Sequence, residues 1–185
     1  MCLDKEKVNE TYNSIVEQLN DSEEELDEFT GGLNPRSNKQ MSEFIYDVLK
    51  FEEPKDNAGT ILRTPKGERT ASSVAISLLK PKNKRQKKFI ELKQRQAKLN
   101  AQVTKSLEKF YKCCEDGNGL LYASINQAVT ATGRYSSTGK QFKCQFQNVD
   151  REFKPLFRAR NAGWLVGEAD EAQLEFRVAV WYGQD

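Results

Sequence analysis

EADEAQLEFR, residues 168–177, places three carboxylates, Glu168, Asp170 and Glu171, directly after the apolar run WLV, residues 164–166. A fourth, Glu175, follows about one helical turn later. WLVGEA reads as a buried strand and AQLEFRVAVWY as a helix that follows it. An acid at the C-terminal end of a central strand lies where ligands are commonly bound. One carboxylate there can hold Mg²⁺, which takes few protein ligands and leaves the rest to water and substrate phosphates. Periodicity alone favours Asp170 as a helix N-cap over a metal ligand, because Asp is a favoured cap. Glu175 then reads as a surface glutamate beside a cation, and Arg177 as an ion-pair partner.

Upstream, TATGRYSST, residues 130–138, packs hydroxyls, one glycine and one arginine into nine positions. Gly133 permits backbone conformations closed to other residues. Arg134 offers a planar five-donor fork, and Thr and Ser hydroxyls can meet phosphate and sugar oxygens. Such a group suits a nucleic-acid backbone or minor groove. FQNV, residues 146–149, adds the amides Gln147 and Asn148, which can reach minor-groove acceptors or sugar atoms. Taken alone, both are also readable as polar loops.

The chain has 185 residues and a net charge of +2. The average conceals an asymmetry. Residues 1–30 hold ten acids and two bases, so they carry −8 and the rest of the chain +10. A basic body suits a polyanionic partner, and it equally fits a solvated Lys/Arg surface. No apolar run approaches the length of a membrane span, and MCLDKEKVNE lacks the apolar core of a signal peptide. The four cysteines, Cys2, Cys113, Cys114 and Cys144, form no CxxC pair, and the chain has no histidine. They read as reduced, intracellular thiols rather than a zinc site or disulfide framework.

Along the chain, Val8, Tyr12, Ile15, Val16, Leu19, Leu26 and Phe29 share one face of a predicted amphipathic helix. GGLNPR, residues 31–36, breaks it. Ser37 or Asn38 caps a second helix with Met41, Phe44, Ile45, Val48 and Leu49 as apolar positions. Residues 52–70 read as a loop with at most one short ordered turn. Ser72 or Ser73 caps a short helix that runs through Leu79, and Pro81 ends it. From Arg85 to Lys112 the stripe Phe89, Leu92, Leu99, Val103, Leu107, Phe110 predicts a long helix, with one turn of the stripe missing near Arg95 and Gln96. Residues 80–100 carry nine bases and one acid. EDGNG, residues 115–119, is a turn and the best candidate boundary; LLYASINQAV after it reads as extended. The chain is thus helical to about residue 112 and mixed α/β beyond.

In that order, TATGRYSST, QNV and a strand ending in DEAQLEFR resemble family A DNA polymerases, the bacterial DNA polymerase I type. The family pattern is T-x-T-G-R-L-S-S, then Q-N-I-P, then D-Y-S-Q-I-E-L-R, called motif A. GLNPRSNKQM resembles the N-x-x-S-x-K-Q start of the family's thumb. RTPKGERTAS resembles its K-T-x-x-G-x-x-S-T turn, and AKLNAQVTKSL its A-K-L-x-x-T-Y helix segment. YASINQAVTATGRYSS resembles its H-T-x-x-x-Q-x-x-T-A-T-G-R-L-S-S run. The likeness covers about residues 31–185. It implies an α+β architecture: a leading acidic helix over 1–30, a helical thumb over 31–125, and the start of an antiparallel palm sheet over 126–185.

The resemblance implies roles for individual residues. Asp170 would be the catalytic aspartate holding two Mg²⁺ ions, with the Glu171 carbonyl as a further metal ligand. Gln173, Leu174 and Glu175 would form the nucleotide site, Glu175 as the steric gate that favours dNTPs. Arg134 would touch the minor groove at the primer end, and Gln147 and Asn148 would hold primer or template. Asn34, Ser37, Lys39 and Lys98 would contact the duplex backbone. Thr132, Gly133 and Arg177 would support these groups. Phosphoryl-type transfer fits the set, because it relies on charge stabilisation by two metals more than on a covalent group. The expected partners are primer-template DNA, dNTP, and a C-terminal polymerase fragment bearing the fingers and the second catalytic aspartate. No membrane partner is expected, and the location is cytoplasmic. The alternatives are a non-catalytic duplex-binding module and a decayed fragment.

Two departures stand out. Glu171 and Ala172 replace the family's usual Tyr and Ser, and about four extra residues separate Ser137 from Gln147. The fingers, with their K-x₆-Y-G helix, and the second half of the palm, with its His-Asp pair, are not recognisable here. A chain without histidine cannot carry that dipeptide. The isolated chain is therefore expected to be inactive and to need its complement.

Overall fold

The computed structural model describes residues 1–127, 129–131, 134–138, 146, 149–169 and 172–183. Its frame is one antiparallel pair of long helical segments. Helix α1, Lys5–Thr30, is capped by Asp4, whose side chain accepts from the Lys7 amide, and ends at Gly31 in the left-handed conformation. Glycine enters that region without a Cβ penalty, so Gly31 closes the helix and turns the chain away. The return segment is α4, Lys84–Gln102, a π-helical turn at Val103–Leu107, and α5, Glu108–Asp116. Asn83 caps it, accepting from the Gln86 amide. The predicted long helix is therefore present, extended at both ends and widened in its middle.

Two cores form along this pair. At one end Val8 of α1 meets Leu107, Phe110, Cys113 and Cys114, closed by Leu3, Leu121, Phe153 and Leu156. At the other, Leu26 meets Phe89 and Leu92 together with Phe44, Ile45, Leu49, Phe51, Ile76 and Leu79. Cys2, Cys113 and Cys114 are buried cysteines. Burial in the first core raises the Cys114 thiol above its ordinary range.

Helix α2, Asn38–Glu43, is capped by Ser37 and runs into a π-helical turn, Phe44–Val48. The Leu49 amide bonds the Phe44 carbonyl at 2.8 Å, five residues back. That widened turn shifts the helical register. Leu49 stays buried, but Val48, expected on the apolar face, is 53% exposed. Helix α3, Ser73–Ser77, is capped by Ser72. The segment 52–70 is more ordered than expected: it forms two narrow turns, closed by bridges between Lys55 and Ile61 and between Arg63 and Arg69. In each, an Asp or Thr side chain accepts backbone amides: Asp56 from Ala58 and Thr60, Thr64 from Glu68.

The strands are short and antiparallel. Strand β1, Cys2–Leu3, pairs with β4, Phe157–Arg158, and β2, Ser124–Asn126, pairs with β3, Ser136–Thr138. The α+β mixture is therefore present, as helices with small antiparallel pairs. A 3₁₀ turn, Arg151–Leu156, leads into β4. The buried strand predicted for WLVGEA is not found. Residues 164–169 lie in no strand and are exposed, Leu165 at 95%. A strand buried on both faces needs neighbours to bond its backbone, and these residues have no ladder partner among the described residues. The helix after it does form: α6, Leu174–Tyr182, with none of its residues buried.

Candidate nucleic-acid interface

The hydroxyl-rich segment and the acidic segment come together. Thr130 Oγ1 donates to the Arg134 carbonyl at 2.7 Å, tying the two residues together. The next residues, Ser136–Thr138, are fixed by pairing with Ser124–Asn126, and Ser137 is buried. From that base Arg134 donates to a Glu175 carboxylate oxygen, with the two side chains 69% and 79% exposed. Glu175 is held in the first turn of α6. Gln173 precedes that helix in the left-handed conformation, φ 54°, with no side-chain cap, and its carbonyl accepts from the Arg177 amide at 3.0 Å. The helix thus starts four residues beyond Asp170, which leaves the N-cap position to Gln173. Leu174 is exposed beside Glu175.

Of the carboxylates in the opening segment, Glu168 is paired with Lys154 and Glu175 with Arg134. Asp170 and Glu171 lie outside the described residues, as do Gln147, Asn148, Thr132 and Gly133. Among the described residues no three acidic, cysteine or histidine side chains gather as metal ligands. The metal-binding expectation therefore rests on Asp170 and the Glu171 carbonyl alone.

The other expected DNA contacts lie around the 31–40 turn and on α4. Asn34 builds the turn: its Oδ1 accepts from the Arg36 amide at 2.9 Å and its carbonyl from the Ser37 amide at 3.0 Å. Ser37 is the α2 cap, accepting from the Gln40 amide. Both side chains thus have structural work within 31–40. Lys39 and Lys98 are exposed and form no ion pair among the described residues.

The charge asymmetry seen in the sequence is partly internal. Glu25 of α1 faces both Lys88 and Arg95 of α4, at 3.9 and 3.4 Å. Glu23 reaches Arg36 at 3.5 Å and accepts from Gln96 Nε2 at 3.1 Å. The missing turn of the α4 stripe is filled by this polar contact. Lys93, only 9% exposed, donates to the Pro35 carbonyl at 2.8 Å and to Gln96 Oε1 at 3.0 Å. Burial lowers its ammonium below the usual lysine range, against the opposing pull of Glu23. Lys93 and Gln96 were not singled out from the sequence as site residues. The signal for them was the gap in the apolar stripe, where polar residues occupy an inward face.

A second staple holds the 63–71 segment. Arg69 grips Asp47 with both guanidinium nitrogens, at 2.7 and 2.6 Å, and lies over the Tyr46 ring at 5.5 Å. The Arg69 bond holds the Asp47 carboxyl below its ordinary range. Asn38 accepts from the Ala71 amide and donates to the Arg69 carbonyl, and Tyr46 donates to the Thr70 carbonyl.

Comparison with known proteins places this geometry. The family model described as DNA polymerase family A matches residues 5–185. The chain is 23% identical over 190 residues to DNA polymerase I of Bacillus caldotenax. To that of Geobacillus stearothermophilus it is 24% identical over 190 residues. Each match covers 99% of this chain and 20% of the relative. Among solved structures, the POL domain of Pol1 from M. smegmatis, in complex with DNA primer-template and dNTP, matches with a TM-score of 0.59 at 20% identity. That match covers 81% of this chain and 24% of the other. The chain spans about a fifth of the length of the curated relatives it matches. The structural likeness gives the fold: helices and small antiparallel pairs arranged as in part of a polymerase domain.

Proposed function

This chain belongs to DNA polymerase family A, and from that premise we infer that it supplies one part of a DNA-directed DNA polymerase, a nucleotidyltransferase that extends a primer on a template. Residues 1–30 form a leading acidic helix, 31–125 a thumb, and 126–185 the first part of a palm. Asp170 and the Glu171 carbonyl hold Mg²⁺, which supplies charge stabilisation for phosphoryl-type transfer. Gln173, Leu174 and Glu175 line the nucleotide site, with Glu175 as the steric gate. Arg134, with Gln147 and Asn148, binds primer-template DNA, supported by Thr132, Gly133 and Arg177. Asn34, Ser37, Lys39 and Lys98 meet the duplex backbone.

The observation that supports this reading best is the Arg134–Glu175 pair. It joins the expected primer contact to the expected steric gate across 41 positions of sequence. The complement is a polypeptide carrying the fingers and the second catalytic aspartate. The apolar, exposed surface of α6 and residues 164–166 favours such a partner, because a helix apolar on most sides is ordinarily buried. Among the described residues no helix is long and apolar enough to cross a membrane. The reading places the chain in the cytoplasm.

The test is reconstitution of primer extension from this chain and a polypeptide bearing the rest of the family's polymerase domain. Extension is expected, and Asp170→Asn abolishes it; an active Asp170→Asn complex overturns the assignment. A second reading, a non-catalytic duplex-binding module, is favoured by the exposed Lys39 and Lys98, which form no ion pair among the described residues. Under it the chain binds duplex DNA alone and adds nothing to extension.

A further inference from the structure

The turn that carries Asn34, Ser37 and Lys39 leaves α1 through two consecutive glycines, Gly31 and Gly32, with φ of 75° and 86°. Glycine enters that region at least cost and also restrains the chain least, so the exit from α1 does little to aim the residues that follow. Asn34 and Ser37 close the turn on itself through the Arg36 and Gln40 amides. Beneath it lies a cleft of about 370 Å³, lined by Pro35, Arg36 and Ser37 of the turn and by Lys93 and Ala97 of α4. Packing alone therefore does not set the height of the turn over α4. Asn38 ties the start of α2 to residues 69 and 71, not to the helix pair.

Among the described residues two polar links join residues 33–36 to α1 and α4. Lys93 Nζ donates to the Pro35 carbonyl at 2.8 Å, and Arg36 meets Glu23 at 3.5 Å. Both belong to one ring, because Gln96 accepts from Lys93 at 3.0 Å and donates to Glu23 at 3.1 Å. The Arg36 side chain is 69% exposed, so solvent weakens its link, whereas Lys93 is 9% exposed. Burying an ammonium is costly, and an apolar residue of similar volume often serves stability as well or better. What the ammonium adds here is direction: it bonds one carbonyl of the turn and fixes where that carbonyl sits. We propose that Lys93 is a positioning residue, which touches no DNA itself and latches the 33–37 turn to α4 so that Asn34, Ser37 and Lys39 are presented together to a duplex backbone. The role rests on the duplex-binding part of the function above. It names a residue that the turn depends on and that periodicity assigns to the interior.

Salt dependence separates a latch from a contact. A residue that neutralises a phosphate sets part of the slope of log affinity against log salt, and one that only holds a loop does not. The full chain, Lys93→Met and Lys39→Ala are titrated with a fluorescent DNA duplex over a range of salt, after circular dichroism has shown that each is folded. Lys93→Met is expected to bind about two- to tenfold more weakly, the cost of ordering a released segment on binding, with the wild-type slope. Lys39→Ala is expected to lower the slope by about one. Gln96→Met cuts the ring and leaves the lysine in place, so it gives a second route to the same weakening at unchanged slope. Wild-type affinity in both Lys93→Met and Gln96→Met overturns the latch and leaves the polymerase reading standing. A slope lowered by about one in Lys93→Met makes Lys93 a phosphate contact and likewise overturns it. A wild-type chain that binds no duplex overturns the duplex-binding reading and this role together.

Discussion

Arg134 and Glu175 meet as an ion pair although 41 residues separate them in the chain. Both side chains are largely exposed, and exposed pairs contribute only about 0.2–1 kcal/mol. Folding therefore gains little from the contact. If Arg134 makes the duplex contact proposed for it, Glu175 competes with DNA for the same guanidinium. Arg134→Ala is expected to weaken duplex binding about five- to a hundredfold, the loss typical of a lost specific contact. Glu175→Ala is expected to strengthen it about two- to fivefold by freeing Arg134, with both proteins melting near the wild type. Binding curves by fluorescence anisotropy check this; a Glu175→Ala protein that binds more weakly refutes the competition.

How much of this was readable beforehand differs by element. The caps and the break at Gly31 are local chemistry: the structure keeps the break and settles the two open cap choices on Ser37 rather than Asn38 and Ser72 rather than Ser73. Val48 was misplaced because periodicity assumes constant helical pitch, and the π-helical turn at Phe44–Val48 changes it. WLV was misplaced for a different reason. An apolar run states that burial is wanted, not that a partner is at hand, and residues 164–166 have none among the described residues. The Arg134–Glu175 contact could be anticipated only through the family pattern, since no periodicity links positions that far apart. Gln102, buried with its Nε2 donating to Glu152, could not be anticipated, because a glutamine at the end of a helical stripe looks solvent-facing until the 150–152 segment covers it.

Lys93 gives stability a signature at alkaline pH. Burial lowers its folded-state ammonium below the unfolded value, so the unfolded chain binds more protons between the two. Stability from this group is therefore fully present above the unfolded lysine pKa and lost as pH falls through the folded value. Wild-type stability relative to Lys93→Met is expected to rise as pH is raised from 8 toward about 10.4, the unfolded lysine value. Urea unfolding of both proteins across that range checks the sign. The comparison matters because burial raises the Tyr46 phenol, which lowers stability in the same alkaline range. Tyr46 is common to both proteins and cancels in the difference.

Asp47 and Arg69 act at the opposite end of the pH scale. The Arg69 hydrogen bond lowers the Asp47 carboxyl. Its contribution is present above the ordinary aspartate pKa and lost as pH falls through the folded value. Asp47→Asn is expected to remove that acid-side dependence and to loosen the 63–71 segment, which Arg69 tethers. Amide hydrogen exchange should quicken modestly, about tenfold or less, at residues 64–70, since solvent screens an exposed tether. Unchanged exchange there, at pH 7, would show that Asn38 and Tyr46 hold the segment unaided.

The two tryptophans report on whether α6 finds a partner. Trp164 and Trp181 are the chain's only tryptophans and both are exposed. Phe176, Val178 and Val180 are exposed on the same helix as Trp181, so the helix presents apolar side chains that water solvates poorly. The isolated chain is expected to emit at the long wavelength of solvated indole, with iodide quenching both residues. Mixing with a polypeptide that carries the rest of the polymerase domain should shift the emission to the blue and cut quenching. Trp181→Ser should weaken that association about tenfold or more, as removal of a buried aromatic anchor does at interfaces. A blue shift that instead grows with the concentration of this chain alone would mean that α6 pairs with a second copy. Emission unchanged by the complement would remove the support that α6 lends to a two-part polymerase.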